Sequence, residues 1–277
     1  MADEALYDCA IIGGGPAGLL AAVYLARFRR KPLLVDAGRS RARWIPRTRN
    51  IPAYADGLEG DELLARLREQ VARYSIETVA DEVMALEGKS GEFLIRGAHA
   101  VWRARHVILA TGVVDRMPEH LENLWTLVKR GAVRLCPVCD AFELCERRIG
   151  LLAEGDVAER EARFLASYSA TVSVFAPGEV VEVVHGTAGL SVRTRSGTLA
   201  HLDALYVGCG SDVHSGLATA LGARCDEQGF LFVDQKQQTS VPGLYAAGDV
   251  VQSLSQISVA YGQAAIAASA INVALNA

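Results

Sequence analysis

The chain has 277 residues, a formal net charge of −4 and a hydrophobic fraction of 51%. That length exceeds one average domain, and the apolar content is enough for two cores. The acidic balance carries no basic footprint for nucleic acid, and six cysteines in so long a chain suit a reducing, cytoplasmic setting better than a disulfide scaffold.

Met1 to Tyr7 is short and acidic, so no leader is expected there. Asp8 to Ile12 is an apolar run that predicts a buried parallel strand. It runs into Gly13-Gly14-Gly15-Pro16-Ala17-Gly18, which contains G-x-G-x-x-G. Leu19 to Arg30 reads as a helix, with Leu19, Leu20, Val23 and Ala26 at helical spacing, and Lys31-Pro32 breaks it. Leu33 to Asp36 is a second strand ending in an acid. Strand, glycines, helix, strand and acid in this order point to a dinucleotide site. The glycines allow a tight turn and close backbone approach, the helix N-terminus attracts phosphate, and the acid accepts from ribose hydroxyls. The plainer reading is a glycine-rich turn with no ligand.

Five arginines follow in the stretch Arg39 to Arg49, set around Trp44. They read either as a solvated loop with one arginine on a phosphate, or as a docking surface for an acidic partner. His106 to Leu109 is a buried strand running into Ala110-Thr111-Gly112. Near the other end, Leu244 to Ala246 is a strand leading to Ala247-Gly248-Asp249-Val250, with a helix from about Gln256. Asp249 at a strand end can hold a sugar-type hydroxyl, and the helix N-terminus can stabilise negative charge. Ala264 to Leu275 is alanine-rich and reads as too short to span a bilayer, so no membrane partner is expected.

Cys136-Pro137-Val138-Cys139-Asp140 is the most specific stretch. Two cysteines at this spacing can close a disulfide or open to a dithiol, and the adjacent aspartate can donate and accept protons. Half a zinc site is the alternative. No second C-x-x-C follows, however, and neither Cys145 nor the six scattered histidines complete a ligand set, so no metal is expected. Cys9 and Cys209 read as packed thiols, Cys225 as a surface residue and Cys145 as a bystander on a helix, with a third redox thiol as its alternative.

These motifs, in this order, resemble the low-molecular-weight thioredoxin reductase family of FAD-dependent disulfide oxidoreductases. Asn50-Ile51-Pro52 adds to the likeness, which covers nearly the whole chain. The resemblance implies an α/β fold of two Rossmann-like domains, the second inserted in the first. The FAD domain would be residues 1–115 plus 243–277, and the redox-dithiol domain residues 116–242. It implies a homodimer as well. It implies FAD held by Gly13, Gly15, Pro16, Ala17, Gly18, Asp36, Ala37, Arg43, Asn50, Val83, Ala110, Thr111, Gly112, Gly248, Asp249, Gln256, Ile257 and Ser258. Carried over, Cys139 is the flavin-side thiol, Cys136 the interchange thiol and Asp140 the acid/base.

Members of that family carry a second nucleotide site, for NADPH, just after the redox motif. Here the place holds Arg148 to Ala158, which still reads as strand, turn and helix. Its first glycine is replaced by Ala153, and Glu154 and Asp156 set carboxylates where a pyrophosphate belongs. Anions there oppose binding. After the next strand, Thr171 to Phe175, a basic cluster is replaced by Ala176-Pro177-Gly178, and Val180 to Arg195 runs straight into a strand pair. The family's Arg-Gln-Ala at the last helix reads Gln256-Ile257-Ser258.

The reading is therefore an FAD-dependent dithiol/disulfide oxidoreductase that does not use NADPH efficiently. Its partner would be a thioredoxin-like protein or a small dithiol or disulfide, with an acidic electron-donor protein as a further partner. The alternatives are an NADPH-dependent thioredoxin reductase, an oxygen-dependent dithiol oxidase, and a non-catalytic FAD-binding protein.

Overall fold

The computed structural model describes residues 6–187 and 189–277. Residues 1–5, where no leader was expected, lie outside them. The chain packs into two compact units, Met1–Arg43 with Asp61–Val114 and Asp212–Ala277, and Trp44–Gly60 with Asp115–Ser211. In chain order the first stretch forms β1 (Leu6–Ile12), α1 (Pro16–Arg27), β2 (Pro32–Val35), α2 (Gly60–Ala72), β3 (Glu77–Val79), β4 (Val83–Lys89), β5 (Glu92–Gly97), β6 (Val101–Leu109) and β7 (Val113–Asp115). The middle forms α3 (Leu124–Lys129), β8 (Val133–Arg134), α4 (Pro137–Asp140), β9 (Ile149–Leu152), α5 (Gly155–Leu165), β10 (Val172–Phe175), β11 (Val180–Gly186), β12 (Gly189–Thr194), β13 (Leu199–Leu202) and β14 (Ala204–Val207). The last part forms β15 (Ser211–Val213), α6 (Gly216–Thr219), β16 (Leu244–Ala246) and α7 (Ile257–Ala274).

In the first unit the sheet runs β3-β2-β1-β6-β5-β4, with β16 also on β6. Strands β3, β2, β1, β6 and β16 pair in parallel, whereas β4, β5 and β6 pair antiparallel. The sheet is thus mixed, where the motifs suggested a parallel one. Its central strands are buried on both faces, which is why they read as continuous apolar runs. On one face lies a core of Ala10, Leu33, Phe93, Ile95, Val107 and Leu244. Helices α1 and α7 pack closely on each other. Their buried faces are mostly alanine, Ala17, Ala21 and Ala22 from α1 and Ala260, Ala264, Ala267 and Ala268 from α7. Small side chains let the two backbones approach.

Helix α1 starts at Pro16 rather than Leu19. Proline suits a first helical position, where its missing N–H leaves no intrahelical bond unmade. It ends at Arg27 rather than Arg30, with Arg29 at φ 62°. The apolar stretch expected from Ala264 is part of an 18-residue helix, α7, long and apolar enough by length and composition to cross a membrane. Its Ala260 to Ile271 face is buried within the unit.

The domain boundary expected at 243 falls instead at Asp212. Ala218, Ala223 and Leu231 are buried in the same core as Ala10 and Leu244, and Leu231 bridges Val251. Burial of that kind contributes roughly 1.5–3 kcal/mol for a large aliphatic side chain, so the segment packs where its apolar residues go. Residues 44–60 likewise group with the second unit. Trp44 lies on Trp125 with ring centroids 4.4 Å apart, and Thr48 bridges Leu58.

The second unit carries a four-stranded parallel sheet, β10-β9-β14-β8, and a three-stranded antiparallel sheet, β11-β12-β13, where a strand pair was expected. One core joins Leu124, Val133, Leu152, Val192 and Leu205, and another joins Ala141, Ile149, Leu151, Leu165 and Tyr206.

The Arg148–Asp203 pair ties the start of β9 to the start of β14, with Nη2–Oδ1 at 2.9 Å. The guanidinium and the Arg148 backbone N–H hold the Asp203 carboxyl down at about 2. Because the folded value lies below the usual one, the contribution is present above about pH 4 and fades as pH falls toward 2. The pair is partly exposed, so Asp203→Asn should cost no more than about 1 kcal/mol at pH 7. The difference in melting temperature between wild type and variant should shrink between pH 5 and pH 3. A gap that holds constant over that range would contradict the assignment.

Candidate functional site

The C-terminal edge of the first unit's parallel strands holds the glycine turn. Strands β2 and β3 lie on one side of β1 and β6 on the other, so the strand order reverses between β1 and β6. Open α/β sheets bind ligands at such a point. Gly13 and Ala110, which end the two strands there, approach so closely that a Cβ on Gly13 would sit 2.3 Å from the Ala110 carbonyl oxygen. Gly13 also has φ +110°, which side-chain-bearing residues rarely adopt. A Cβ on Gly18 would lie 1.9 Å from the Gly13 oxygen, so only glycine lets α1 start this close to the turn. Gly15 caps α1 with extended backbone and no side-chain cap. The helix therefore presents free N–H groups and its positive dipole end to an anion.

Around that turn the structure gathers several groups. Asp36 follows β2, and its carboxylate lies 2.2 Å from where a Gly14 Cβ would be. It accepts from the Gly38 N–H at 3.0 Å and lies 3.7 Å from Arg68. Ser40 Oγ is 3.2 Å from the Cβ position of Gly15. Next in sequence, Arg41 donates to Asp249 Oδ2 at 3.0 Å. Thr111 donates its hydroxyl to the His214 carbonyl at 2.7 Å, and the His214 N–H returns to the Gly112 carbonyl at 3.0 Å. Gly248, at φ +82°, gives its N–H to Gln263 Oε1 at 2.8 Å. Gln256 caps α7 in extended conformation, and Ile257 and Ser258 form its first turn.

Most of the expected cofactor residues thus share one unit and one sheet edge: Gly13, Gly15, Pro16, Ala17, Gly18, Asp36, Ala37, Ala110, Thr111, Gly112, Gly248, Asp249, Gln256, Ile257 and Ser258. Val83 belongs to the same unit as the first residue of β4. Arg43 is exposed on a short 3-10 turn, and Arg41 on the same turn reaches Asp249. Asn50 lies in the other unit, where it accepts from the Thr48 hydroxyl at 2.7 Å. Three further loop arginines are held in ion pairs, Arg39 with Glu82, Arg47 with Glu59, and Arg49 with Glu143. That removes much of the free charge a docking surface would need. Sequence reasoning missed His214 and Gln263. A lone glutamine, 8% exposed, on an alanine-rich helix was the available signal for the second, because a buried amide needs a partner.

In the second unit Cys136 and Cys139 are joined in a disulfide, their Cα atoms 5.3 Å apart. Cys136 caps α4, and the Cys139 N–H returns to its carbonyl at 3.0 Å. Val138 and Phe142 stand exposed beside the pair, Phe142 at 76%. Asp140 is held on both oxygens, Oδ1 accepting from the Tyr206 hydroxyl at 2.6 Å and Oδ2 from Arg134 Nη1 at 3.0 Å. Burial pushes the Asp140 carboxyl above its ordinary value, while Arg134 and Tyr206 oppose the shift. Burial pushes the Tyr206 hydroxyl far up, and the neighbouring carboxylate adds to it. Among the described residues no cluster of histidine, cysteine and carboxylates could hold a metal. Cys9 is buried, as expected. Cys209 and Cys225 are half-buried, and Cys145 is exposed just past the 3-10 turn Ala141–Leu144 rather than on a helix.

The second unit's sheet has the same kind of reversal, between β9 and β14. Here the crevice is lined by acid. Glu154 caps α5 and Asp156 lies in its first turn, both exposed. Glu161, one turn further, aims its carboxyl at Gly208, 2.6 Å from where a Cβ would be. Glu161 Oε2 is buried with no hydrogen-bond partner, and burial pushes its carboxyl up, Arg160 opposing. The same acids, after burial, push the Cys209 thiol up. The end of β10 leads to Ala176, Pro177, Gly178 and Glu179, with no cation among them.

The sequence matches the model of the pyridine nucleotide-disulphide oxidoreductases over residues 7–174 and 171–264. The chain belongs to this family. Among family relatives it is 32% identical to a thioredoxin reductase of Streptomyces coelicolor, over 87% of this chain and 85% of that one. It is 28% identical to a thioredoxin reductase of Peptoclostridium litorale, over 96% of each. The crystal structure of HlmI superposes with a TM-score of 0.88 at 28% identity, covering 98% of this chain and 92% of that one. The chain is thus a thioredoxin reductase-like flavin disulfide oxidoreductase with that family's α/β fold.

The turn geometry makes a clear contrast between two glycines. Gly18→Ala should destabilise the first unit by about 1–3 kcal/mol, the usual cost of forcing atoms into a packed site. Gly262→Ala in α7, where a Cβ meets nothing within 4 Å, should be neutral or stabilising by up to about 1 kcal/mol. Thermal melting of the two variants checks this, and equal melting temperatures would contradict the close approach.

Proposed function

We propose that this chain is an FAD-dependent dithiol/disulfide oxidoreductase in which the Cys136–Cys139 pair exchanges electrons with the flavin, and that NADPH is a poor donor to it. The observation that carries the second half is the acidic, self-filled crevice between β9 and β14. FAD supplies a two-electron acceptor and donor. The groups suited to hold it are the α1 N-terminus and Gly13 to Gly18 for the diphosphate, and Asp36 with Ala37 and Val83 toward the nucleoside. Ala110 to Gly112, Gly248, Asp249 and the start of α7 suit the remainder. What supports this fit is a cradle in which several added Cβ atoms would collide. Arg41 adds a cation at the Asp249 carboxylate, close in the chain to Ser40 over Gly15. This supports a charge role for Arg41 where the start of α7 has none.

For the redox pair, the resemblance assigns Cys136 to exchange with substrate, Cys139 to the flavin side and Asp140 to proton transfer. The substrate class is a thioredoxin-like protein or a small dithiol or disulfide. A nicotinamide dinucleotide would have to place its diphosphate against Glu154 and Asp156 and displace the carboxyl of Glu161. Losing two or three charge-assisted phosphate contacts costs roughly 1.5–3 kcal/mol each, on the order of a hundredfold or more in affinity.

The purified protein should carry flavin absorbance or gain it when FAD is supplied, and Arg41→Ala should weaken that binding in a fluorescence titration. Under anaerobic conditions dithiothreitol should bleach the flavin readily, and micromolar NADPH slowly or not at all. Rapid stoichiometric bleaching by NADPH would overturn the donor assignment. Failure to bind FAD would overturn the whole reading.

A further inference from the structure

Asp140 does not hold its position alone. Strands β8 and β14 are parallel neighbours whose register sets Arg134 opposite Tyr206. Side chains opposite each other in a ladder leave the same face of the sheet. Both reach Asp140 at the end of α4, and they take its two oxygens. Arg134 Nη1 also donates to the Asp140 backbone carbonyl at 3.2 Å, so the guanidinium fixes the main chain next to Cys139 as well. Tyr206 is fully buried, and the side chains of Arg134 and Asp140 are only 18% and 15% exposed. Two polar atoms of this neighbourhood stay buried and unpaired, Arg134 Nε and Glu143 Oε2.

We propose that Arg134 and Tyr206 are positioning residues that set the protonation of Asp140, holding its carboxylate ready for the proton exchanged with a substrate thiol. This rests on the disulfide-exchange reading above. In that step a substrate thiol gives its proton to Asp140 as its sulfur bonds to one cysteine Sγ. The Cys136–Cys139 bond breaks, and the other cysteine leaves as a thiolate that takes the proton in turn. The second substrate thiol then displaces the first cysteine from the mixed disulfide. It forms the substrate disulfide, and its proton passes to the cysteine. One dithiol is oxidised and one disulfide reduced, with two protons and two electrons moved.

The groups acting on Asp140 come from each element around it. Arg134 of β8 and Tyr206 of β14 favour its charged form, and Glu143 of the following turn disfavours it. Helix α5 turns apolar residues to this core, Val157, Ala158 and Ala162. Removing either helper must therefore raise the pH at which Asp140 protonates. Exchange needs one proton shared between Asp140 and the thiol, so the rate should be bell-shaped in pH, with Asp140 setting the acid limb.

The test uses the purified flavoprotein under anaerobic conditions. Reduction of the pair by dithiothreitol from pH 4 to 9 is followed by alkylation and mass analysis of the Cys136–Cys139 peptide, with flavin absorbance read in parallel. Tyr206→Phe should move the acid limb up by about one pH unit and Arg134→Gln by at least as much, since one unit corresponds to a tenfold change in proton affinity. Arg134→Lys should restore much of the shift. Asp140→Asn should abolish the limb. Unmoved limbs in both Tyr206→Phe and Arg134→Gln, or a limb that survives Asp140→Asn, would overturn the proposal. The alkylation readout decides this even if the flavin never bleaches, an outcome that bears on the flavin reading alone.

Discussion

The first unit depends on one close approach, that of α1 to the turn between β1 and itself. A carbon atom added to Gly13, Gly14 or Gly18 would fall within 2.3 Å of backbone or of the Asp36 carboxylate. That constraint brings the helix N-terminus, the end of β6 and the acid after β2 into one small volume. The remaining pieces are fixed by hydrogen bonds to that volume. Gln263 orients the Gly248 turn, Arg41 holds Asp249, and the His214 segment braces Thr111 and Gly112. The Arg41 and Thr111 bonds join segments far apart in sequence. The site is therefore assembled by tertiary structure around a local turn that the glycines alone make possible.

The two units repeat one architecture with opposite electrostatics. Both have parallel strands that reverse order at a crevice, and both start a helix there. In the first, the crevice is floored by backbone and free amides, which suits an anion. In the second, Glu154 and Asp156 stand at the helix start and Glu161 fills the space against Gly208. Carboxylates near a helix N-terminus are favourable to the helix itself, so the start of α5 gains from Glu154 and Asp156. A fold is retained by its core, Ile149, Leu151 and Leu165 here, whereas a site is retained only by the groups that face it.

Local motifs were legible in the sequence and long-range pairings were not. β1, the glycine turn, α1 and the acid after β2 could be read because backbone sterics tie each to a residue type at a fixed offset. The Cys136 to Asp140 stretch could be read for the same reason. The boundary at Asp212 could not, because 212–242 holds only short, irregular elements and its apolar residues show no period. The arginine loop looked like one feature in sequence, yet Glu82, Asp249, Glu59 and Glu143 draw its arginines to four different places. Arg134 and Tyr206 were invisible as partners, since only the β8–β14 register brings them together.

That register also explains why a buried carboxylate is tolerated beside the cysteines. An isolated ionised aspartate in this setting would neutralise, because desolvation favours the uncharged form. A hydroxyl and a guanidinium on its two oxygens offset the cost without reversing it, which leaves the Asp140 carboxyl above its ordinary value. The trio thus ties two neighbouring strands to the segment that carries the disulfide, at a desolvation cost that its own hydrogen bonds offset in part.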